Sequence, residues 1–470
     1  MKNIFKILFI VIPFFSNAQK QGNIWYFGEE AGLNFNSGSP IAISGGQIKG
    51  YPQSPGDALY AEGSSVISDS SGNLLFYSNG EKIWNKNHQV MPNGNNLMGH
   101  YSSTQGVFIV PSPNSNRFFY IFTTGVFQNS YGNGFRYSIV DMCLDNHLGD
   151  IAYGYKNILL MDSTNEKIAV TYHSNHYNIW IVTHNYVTNK FYSFLLTDNG
   201  ITDTVISVVG SNHATYSIGQ MKISPSGLKL ALAANGNPSI VELFDFNPST
   251  GLISNPISLP TTDGTPAYLE YGVSFSPNSS KLYINGLQTN LVQYNLLAGS
   301  GNPSDIIASK YTINSSPQCS GAGIQLGPDG KIYISRCSNY LSVILDPDND
   351  TSSCHFVNNY VFLNAICNYT LPSFIDNYNY FNTNPDCPDY IPELNSENIK
   401  IYPNPVTDEI LINHTQKATI EISNINGNIV KSVNHNSGET SIYIGDLSVG
   451  VYIIKVKTYK EIVTKKFVKE

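Results

Sequence analysis

Glu270 to Asn285, EYGVSFSPNSSKLYIN, reads as a strand, a tight turn and a second strand. Val273 and Phe275 alternate with polar neighbours, as do Leu282 and Ile284, the period of two expected of a pleated strand with one buried face. Between the runs, Pro277-Asn278-Ser279-Ser280 carries turn chemistry: a ring that presets φ, then short side chains that bond their own backbone. The unit recurs as SSVISDSSGNLLFYS (Ser64 to Ser78), GVFIVPSPNSNRFFYIFT (Gly106 to Thr123), IAVTYHSNHYNIWIVT (Ile168 to Thr183), QMKISPSGLKLALA (Gln220 to Ala233) and AGIQLGPDGKIYIS (Ala322 to Ser335).

With Gly72, Ser115, His176, Gly227, Ser279 and Gly330 as equivalent turn positions, the spacings are 43, 61, 51, 52 and 51 residues. Each interval holds about four short strands, the period of a β-propeller blade, which must stack on neighbours to cover its two faces. Six blades are therefore expected directly. The N-terminal strands between Asn23 and Ser44 are expected to join a late strand near Tyr378 to Phe381 as a seventh, so that no sheet edge is left free. The fold class is thus all-β, a seven-bladed propeller over 19–382, with a sandwich array or β-helix as the competing reading.

Composition narrows the partners. The formal charge is −8, with 13% charged residues and 31 tyrosines. It falls to about −10 once Lys2 and Lys6 leave with a leader, which argues against nucleic acid because phosphate binding needs a basic surface. Tyrosine-rich, weakly charged strands suit glycan or cell-surface contact, although tyrosine also simply favours strands. Residues 1–18 have the form of a secretory signal: Lys2 and Lys6, the apolar run Ile7 to Phe15, and the small-residue site Ser16-Asn17-Ala18. No later stretch is long and apolar enough to span a bilayer as a helix. Six cysteines, Cys143, Cys319, Cys337, Cys354, Cys367 and Cys387, fit an oxidising compartment. They allow 15 pairings, among which Cys354 with Cys367 would close a short hairpin.

After an irregular linker over 383–397 comes a second β domain, 398–470, with seven short alternating runs in the manner of a small immunoglobulin-like sandwich. Its stretches IKIYPNPVTDEILIN, ISNINGNIVKSV, LSVGVYIIKVKT and TKKFVKE carry the motifs Tyr402-Pro403-Asn404-Pro405, Gly450-Val451-Tyr452 and Lys465-Lys466. In these it resembles the type A C-terminal sorting domain of the type IX secretion system of Bacteroidota. That resemblance implies recognition by the secretion machinery, passage through the outer membrane, removal of the domain, and release or surface anchoring. The opening NIWYFG, AGLNFNSG and EGSSVISDSSGNLLFYSNG also resembles secreted Bacteroidota propeller proteins, which adds fold and location but no chemistry.

For chemistry, the heads of the lead strands, about ten residues before each turn, are the places that would ring a channel mouth. They nominate Glu62, Gln105, Glu166, Gln220 and Glu270 as ligand-binding residues, unless they are polar only because a tunnel holds water. Asp346, Asp348 and Asp350 alternate as hard oxygen ligands for Ca²⁺ would, or form a solvated acidic turn; Thr351 and Val357 exclude an EF-hand. His173, His176 and His184 raise zinc only if folding gathers them. No nucleophile elbow, P-loop or dinucleotide fingerprint opens a helix, so no catalytic residue is nominated. The expected function is a secreted or cell-surface binding or adhesion protein for a glycan or protein. The alternative is a secreted propeller hydrolase or lyase acting on polysaccharide, with paired acids drawn from Glu29, Glu30, Glu62 and Glu270.

Overall fold

The structure is a computed structural model that describes residues 19–50, 61–113, 115–126, 133–213, 218–236, 239–260, 270–287, 290–314, 323–380, 383–387, 399–414, 417–425, 427–435, 438–458 and 462–470. The expected leader, Cys319, Phe381 and most of the expected linker lie outside them. Among the described residues there are nine sheets and one α-helix, the six-residue Pro303–Ala308. That helix starts with Asn302 accepting from the Ser304 amide and with proline at its first position, where no amide is missed.

Seven sheets precede residue 363, each an antiparallel meander. The first runs Ile24–Phe27, Ala31–Asn34, Ile41–Ile43. The other six open with the lead strands Ser65–Ser68, Val107–Pro111, Ala169–Tyr172, Met221–Ile223, Glu270–Phe275 and Ile324–Leu326. Every lead strand is buried along its whole length, because it is covered on both faces rather than one.

The repeat register read from sequence is visible in the backbone. At Gly72, Ser115, His176, Gly227, Ser279 and Gly330 the amide donates to the carbonyl three residues earlier, at 2.8 to 3.3 Å. Five of the six adopt left-handed φ between 56° and 87°, and three of those five are glycine, the residue that does so without Cβ strain.

Apolar clusters join the sheets in succession. One joins the second, third and fourth, another the fourth and fifth, another the fifth and sixth, another the sixth and seventh. A further cluster brings Trp25 and Phe35 of the first sheet against Tyr333 of the seventh, with ring centroids 5.7 and 5.5 Å apart.

The expected late strand near Tyr378 is not where the chain returns. Tyr369 to Ser373 makes that contact: the Gly323 amide donates to Tyr369 O at 2.8 Å, and the Ser373 amide to Ser64 O at 2.8 Å. Ser65 and Ser373 form a parallel bridge, and Thr370 Oγ1 donates to Glu62 O at 2.6 Å. Tyr378 instead turns back on itself, its amide bonding Ile375 O at 2.9 Å with φ at 51°. Leu371 and Phe374 follow into the cluster that holds Trp25.

The cysteine expectation also changes. Cys143 is bonded to Cys387, 244 residues away, while Cys354 is a buried thiol and so makes no bridge to Cys367. Burial raises the Cys354 thiol above its ordinary range, which suits a small apolar filler between Tyr283 and the seventh sheet.

Seven strands close to those expected follow residue 399. Lys400–Tyr402, Glu409–His414 and Gly438–Tyr443 form one sheet; Ile429–His435, Ala418–Asn424, Gly450–Lys457 and Ile462–Lys469 form the other. Ile410, Ile412 and Ile442 of the first share one core with Ile420, Ile422, Ile454 and Phe467 of the second. Asn-Gly is a strong hairpin signal, and between Ala418–Asn424 and Ile429–His435 the chain turns at Gly427, with φ at 82° and its amide on Asn424 O; Asn426 lies outside the described residues.

Candidate functional site

The heads of five lead strands, those of the second to sixth sheets, meet at one point. Glu62, just before Ser65–Ser68, accepts from Ser102 Oγ at 3.1 Å and from the Tyr271 hydroxyl in a short bond. Thr104, just before Val107–Pro111, donates its amide to Glu166 Oε2 at 2.8 Å. Its hydroxyl lies 3.0 Å from that same oxygen and 3.5 Å from Glu62 Oε2, so one hydroxyl stands between two carboxyl groups. A hydroxyl has a single proton, and the nearer Glu166 is the better acceptor. The Gly219 amide fills the other side of Thr104 Oγ1 at 3.1 Å.

Burial, and then the Glu166 charge, push the Glu62 carboxyl up to about 8, against the pull of the Tyr271, Ser102 and Thr104 donors. Both effects favour the protonated form of Glu62 beside Glu166. Lys167 is fully buried next door, and burial brings it down to about 7 although Glu166 opposes this. Beyond it, His184 stacks on His213 with centroids 4.2 Å apart, and His213 Nε2 lies 3.1 Å from Glu242 Oε2. Burial holds both imidazoles below the usual histidine range, His184 well below it.

Of the five residues expected at a mouth, Glu62 and Glu166 are brought together. Only Glu62 keeps part of its surface exposed; the other four are buried. Gln105 and Gln220 are crossbars. Gln105 Oε1 accepts from the Met221 amide at 2.8 Å while its Nε2 donates to Met221 O at 3.2 Å and Ile168 O at 3.1 Å, pairing with the main chain as a strand would. Gln220 Oε1 accepts from the Ile324 amide at 3.1 Å.

At the sixth sheet it is Tyr271, the neighbour of the expected Glu270, that bonds Glu62. The strand register shifts between Glu270 and Gly272, and such a bulge re-aims successive side chains. Spacing from the turn cannot see that irregularity. His184 enters the sequence reading only as a zinc candidate, and Thr104, Lys167, His213 and Glu242 are absent from it; Thr104 and Lys167 are readable as neighbours of Gln105 and Glu166, but nothing local marks His213 or Glu242.

The other expected sites come apart. Asp346 meets His355 at 2.6 Å, Asp348 accepts from the Asn278 amide at 3.0 Å, and Asp350 pairs with Lys281 at 2.7 Å. The three carboxylates thus face different partners, two of them on the sixth sheet, and among the described residues no group of three histidine, cysteine, aspartate or glutamate side chains is arranged to hold a metal ion. His173 and His184 sit at opposite ends of the hairpin, because Ile179–His184 carries the chain away from the turn. Glu29 is taken up by the Gly50 amide and Asn368, and Glu30 by Lys49.

The Glu62 shift has a stability consequence with a definite sign. The unfolded chain sheds this proton near 4.5 and the folded chain keeps it to about 8, so between those values folding takes up a proton and stability falls as pH rises. Lys167 acts oppositely above 7, so a difference measurement is needed. Glu62→Gln is expected to match wild type near pH 4 and to exceed it at pH 9 by about 3 kcal/mol, allowing for residual exposure. Urea midpoints at the two pH values read this out; a gap independent of pH would remove the buried proton from the account.

In the C-terminal sheets, the two ends of the motif set meet. Asn404 Oδ1 accepts from the Val468 amide at 2.9 Å, the Val406 amide bonds Val468 O at 2.9 Å, and Tyr452 stacks on Phe467 at 5.6 Å. The Tyr402-Pro403-Asn404-Pro405 stretch is therefore seated on the terminal strand.

Residues 400–470 match the family described as the secretion system C-terminal sorting domain. No curated protein matches the chain. Among solved structures it is similar to PorZ, an essential surface component of the type IX secretion system of Porphyromonas gingivalis, at 14% identity and TM-score 0.32 over 94% of this chain, which spans 62% of the length of PorZ. It is also similar to a Bacteroides uniformis protein provisionally assigned as a 6-phosphogluconolactonase, at 11% identity and TM-score 0.42 over 73% of this chain and 98% of that one. A third is Hsv2 of Kluyveromyces lactis, at 10% identity and TM-score 0.38 over 68% and 92%. Among the described residues no helix is long and apolar enough to cross a membrane. The chain carries a type IX secretion system C-terminal sorting domain and is a secreted or outer-membrane surface-attached protein.

Proposed function

We propose that this is an exported binding protein in which residues 19–382 form a seven-bladed propeller, closed by Tyr369 to Ser373, and residues 398–470 are a sorting domain joined by the 383–397 linker. Its ligand, a glycan or a surface protein, docks at the heads of the lead strands. The observation that carries this reading is the partly exposed rim around Glu62: Ser102 on its carboxyl, and the His100 and Tyr101 rings stacked at 4.5 Å next to it in the chain. An aromatic face beside hydroxyl and carboxyl groups is a surface on which a sugar ring can lie. The fully buried Glu166, Gln105, Gln220 and Glu270 then act as the floor. A Ca²⁺ role for Asp346, Asp348 and Asp350 has no support in their separate partners.

A second reading, a polysaccharide hydrolase or lyase, is favoured by one observation: a neutral Glu62 separated from Glu166 by a single hydroxyl, an acid and a base held apart by environment. Both are tested on the secreted chain with a glycan array and a polysaccharide-degradation assay, in wild type and Glu62→Gln. Binding without degradation, weakened about tenfold by Tyr101→Ala, supports the binding protein. Degradation abolished by Glu62→Gln supports the enzyme, and neither activity on any glycan leaves a protein ligand to be sought by pull-down from the cell surface.

A further inference from the structure

The outer face of the four-stranded C-terminal sheet is divided in two by its register. Ile420, Ile422, Tyr452, Ile454 and Phe467 face the shared core, so the residues that alternate with them face away from it. Across that outer face Thr419 stands opposite Lys457, Glu421 opposite Lys455, and Ser423 opposite Ile453. On the next strand Lys455 meets Thr464, Ile453 meets Lys466 and Val451 meets Val468, while Ile429 lies opposite Ser423 on the other side. One half is therefore charged. The other is an aliphatic corner of Ile429, Val451, Ile453 and Val468, which Ile425, one step past the Asn424–Tyr452 pair, and Val449 extend at the tip.

Val449 at 76% and Ile425 at 74% are the most exposed large apolar side chains among the described residues, and Ile429 is 59% exposed. Single apolar residues in water are ordinary, whereas a contiguous group of them marks a contact surface. The charged half already has neighbours: Lys457 lies over the Tyr153 ring at 4.6 Å and pairs with Glu421 at 2.7 Å, and the Tyr155 hydroxyl donates to Lys417 O at 3.3 Å. The propeller side thus takes that half and leaves the aliphatic corner open. With Glu421 taken by Lys457, Lys455 and Lys466 border the corner as cations that make no ion pair among the described residues. A second copy on this corner would set those lysines against their own kind, a like-charge contact that opposes pairing; a partner with an acidic border would be drawn to them.

We infer that this corner is the face by which the sorting domain seats on a protein of the type IX secretion machinery, in an apolar groove with an acidic rim. A sorting domain acts by being bound during export, which supplies the occupant. The inference rests on the sorting-domain assignment and is independent of the Glu62 rim.

Export of the full chain by its own cells tests it. The double variant Ile425→Glu, Val449→Glu changes only exposed positions and should lower export tenfold or more, with the uncut chain building up inside the outer membrane. Lys466→Glu should lower export several-fold and Lys466→Arg should not; Ser432→Glu, on the charged half, should leave it unchanged. A benzophenone cross-linker placed at Ile425 should join the chain to a subunit of the machinery identified by mass spectrometry, and one placed at Ser432 should not. Thermal melts verify folding, and if the double variant melts low, Lys466→Glu and the cross-link decide. Deletion of residues 400–470 separates the two levels. Export that survives the deletion overturns the sorting assignment itself, whereas export blocked by the deletion but untouched by the double variant overturns this face alone. Cross-linking to a second copy, cross-linking to no machinery subunit, or pelleting with phosphatidylethanolamine–phosphatidylglycerol vesicles that the double variant abolishes would each overturn it too.

Discussion

Gln105→Ala is expected to lower the free energy of unfolding by about 3–5 kcal/mol, the largest effect of any single side chain in the lead-strand cluster. Gln105 is fully buried and bonds three main-chain groups on two neighbouring lead strands: the Met221 amide, Met221 O and Ile168 O. Truncation leaves all three without water or partner, and each orphaned group costs about 1–3 kcal/mol before relaxation. Gln105→Glu should be at least as damaging. It keeps the size but has no N–H for the two carbonyls, and it places a third carboxyl near Glu62 and Glu166. Denaturation midpoints of the full chain by circular dichroism measure both variants. A loss under about 1 kcal/mol for the alanine would mean that the crossbar does not hold the third, fourth and fifth sheets together.

Removing the Cys143–Cys387 bond should cost up to about 5 kcal/mol, the ceiling set by chain entropy for so long a loop. The bond spans 244 residues, from the end of the strand Phe135–Asp141 to the chain beyond the returning segment, and so encloses the fourth to seventh sheets. Its effect falls on the unfolded ensemble, which gains freedom when the two points part. The double variant Cys143→Ser, Cys387→Ser leaves the other thiols untouched and should melt several degrees lower, with the same far-ultraviolet spectrum. Peptide mapping without reductant should find Cys143 and Cys387 in one fragment, and Cys354 alkylated once the chain is unfolded. An unchanged melting temperature in the double variant would show that the native sheets, not this link, set the stability.

Local order was legible because its causes are local. Alternation in Glu270–Phe275 and Lys281–Gly286, and a turn position that needs left-handed backbone, lie within sixteen residues and repeat at almost constant spacing. The same holds for the C-terminal strands, whose apolar residues alternate toward one core. The candidate site was half legible. Counting back from each turn reached Glu62 and Glu166, which do meet through Thr104. It gave Glu270 where the bulge installs Tyr271, because a period of two fails wherever one residue is added to a strand.

What the sequence by itself determined is the repeating hairpin, the all-β class, the sorting domain with its surface destination, and the polar character of the lead-strand heads. Only the tertiary structure decided which cysteines pair, that Tyr369 to Ser373 returns beside the second sheet, and that Glu62, Thr104, Glu166 and Tyr271 share one cluster. The reason is separation along the chain. A strand's pattern is written in neighbours two residues apart, whereas Glu62 and Tyr271 stand 209 apart and touch only because the four intervening sheets pack at fixed angles.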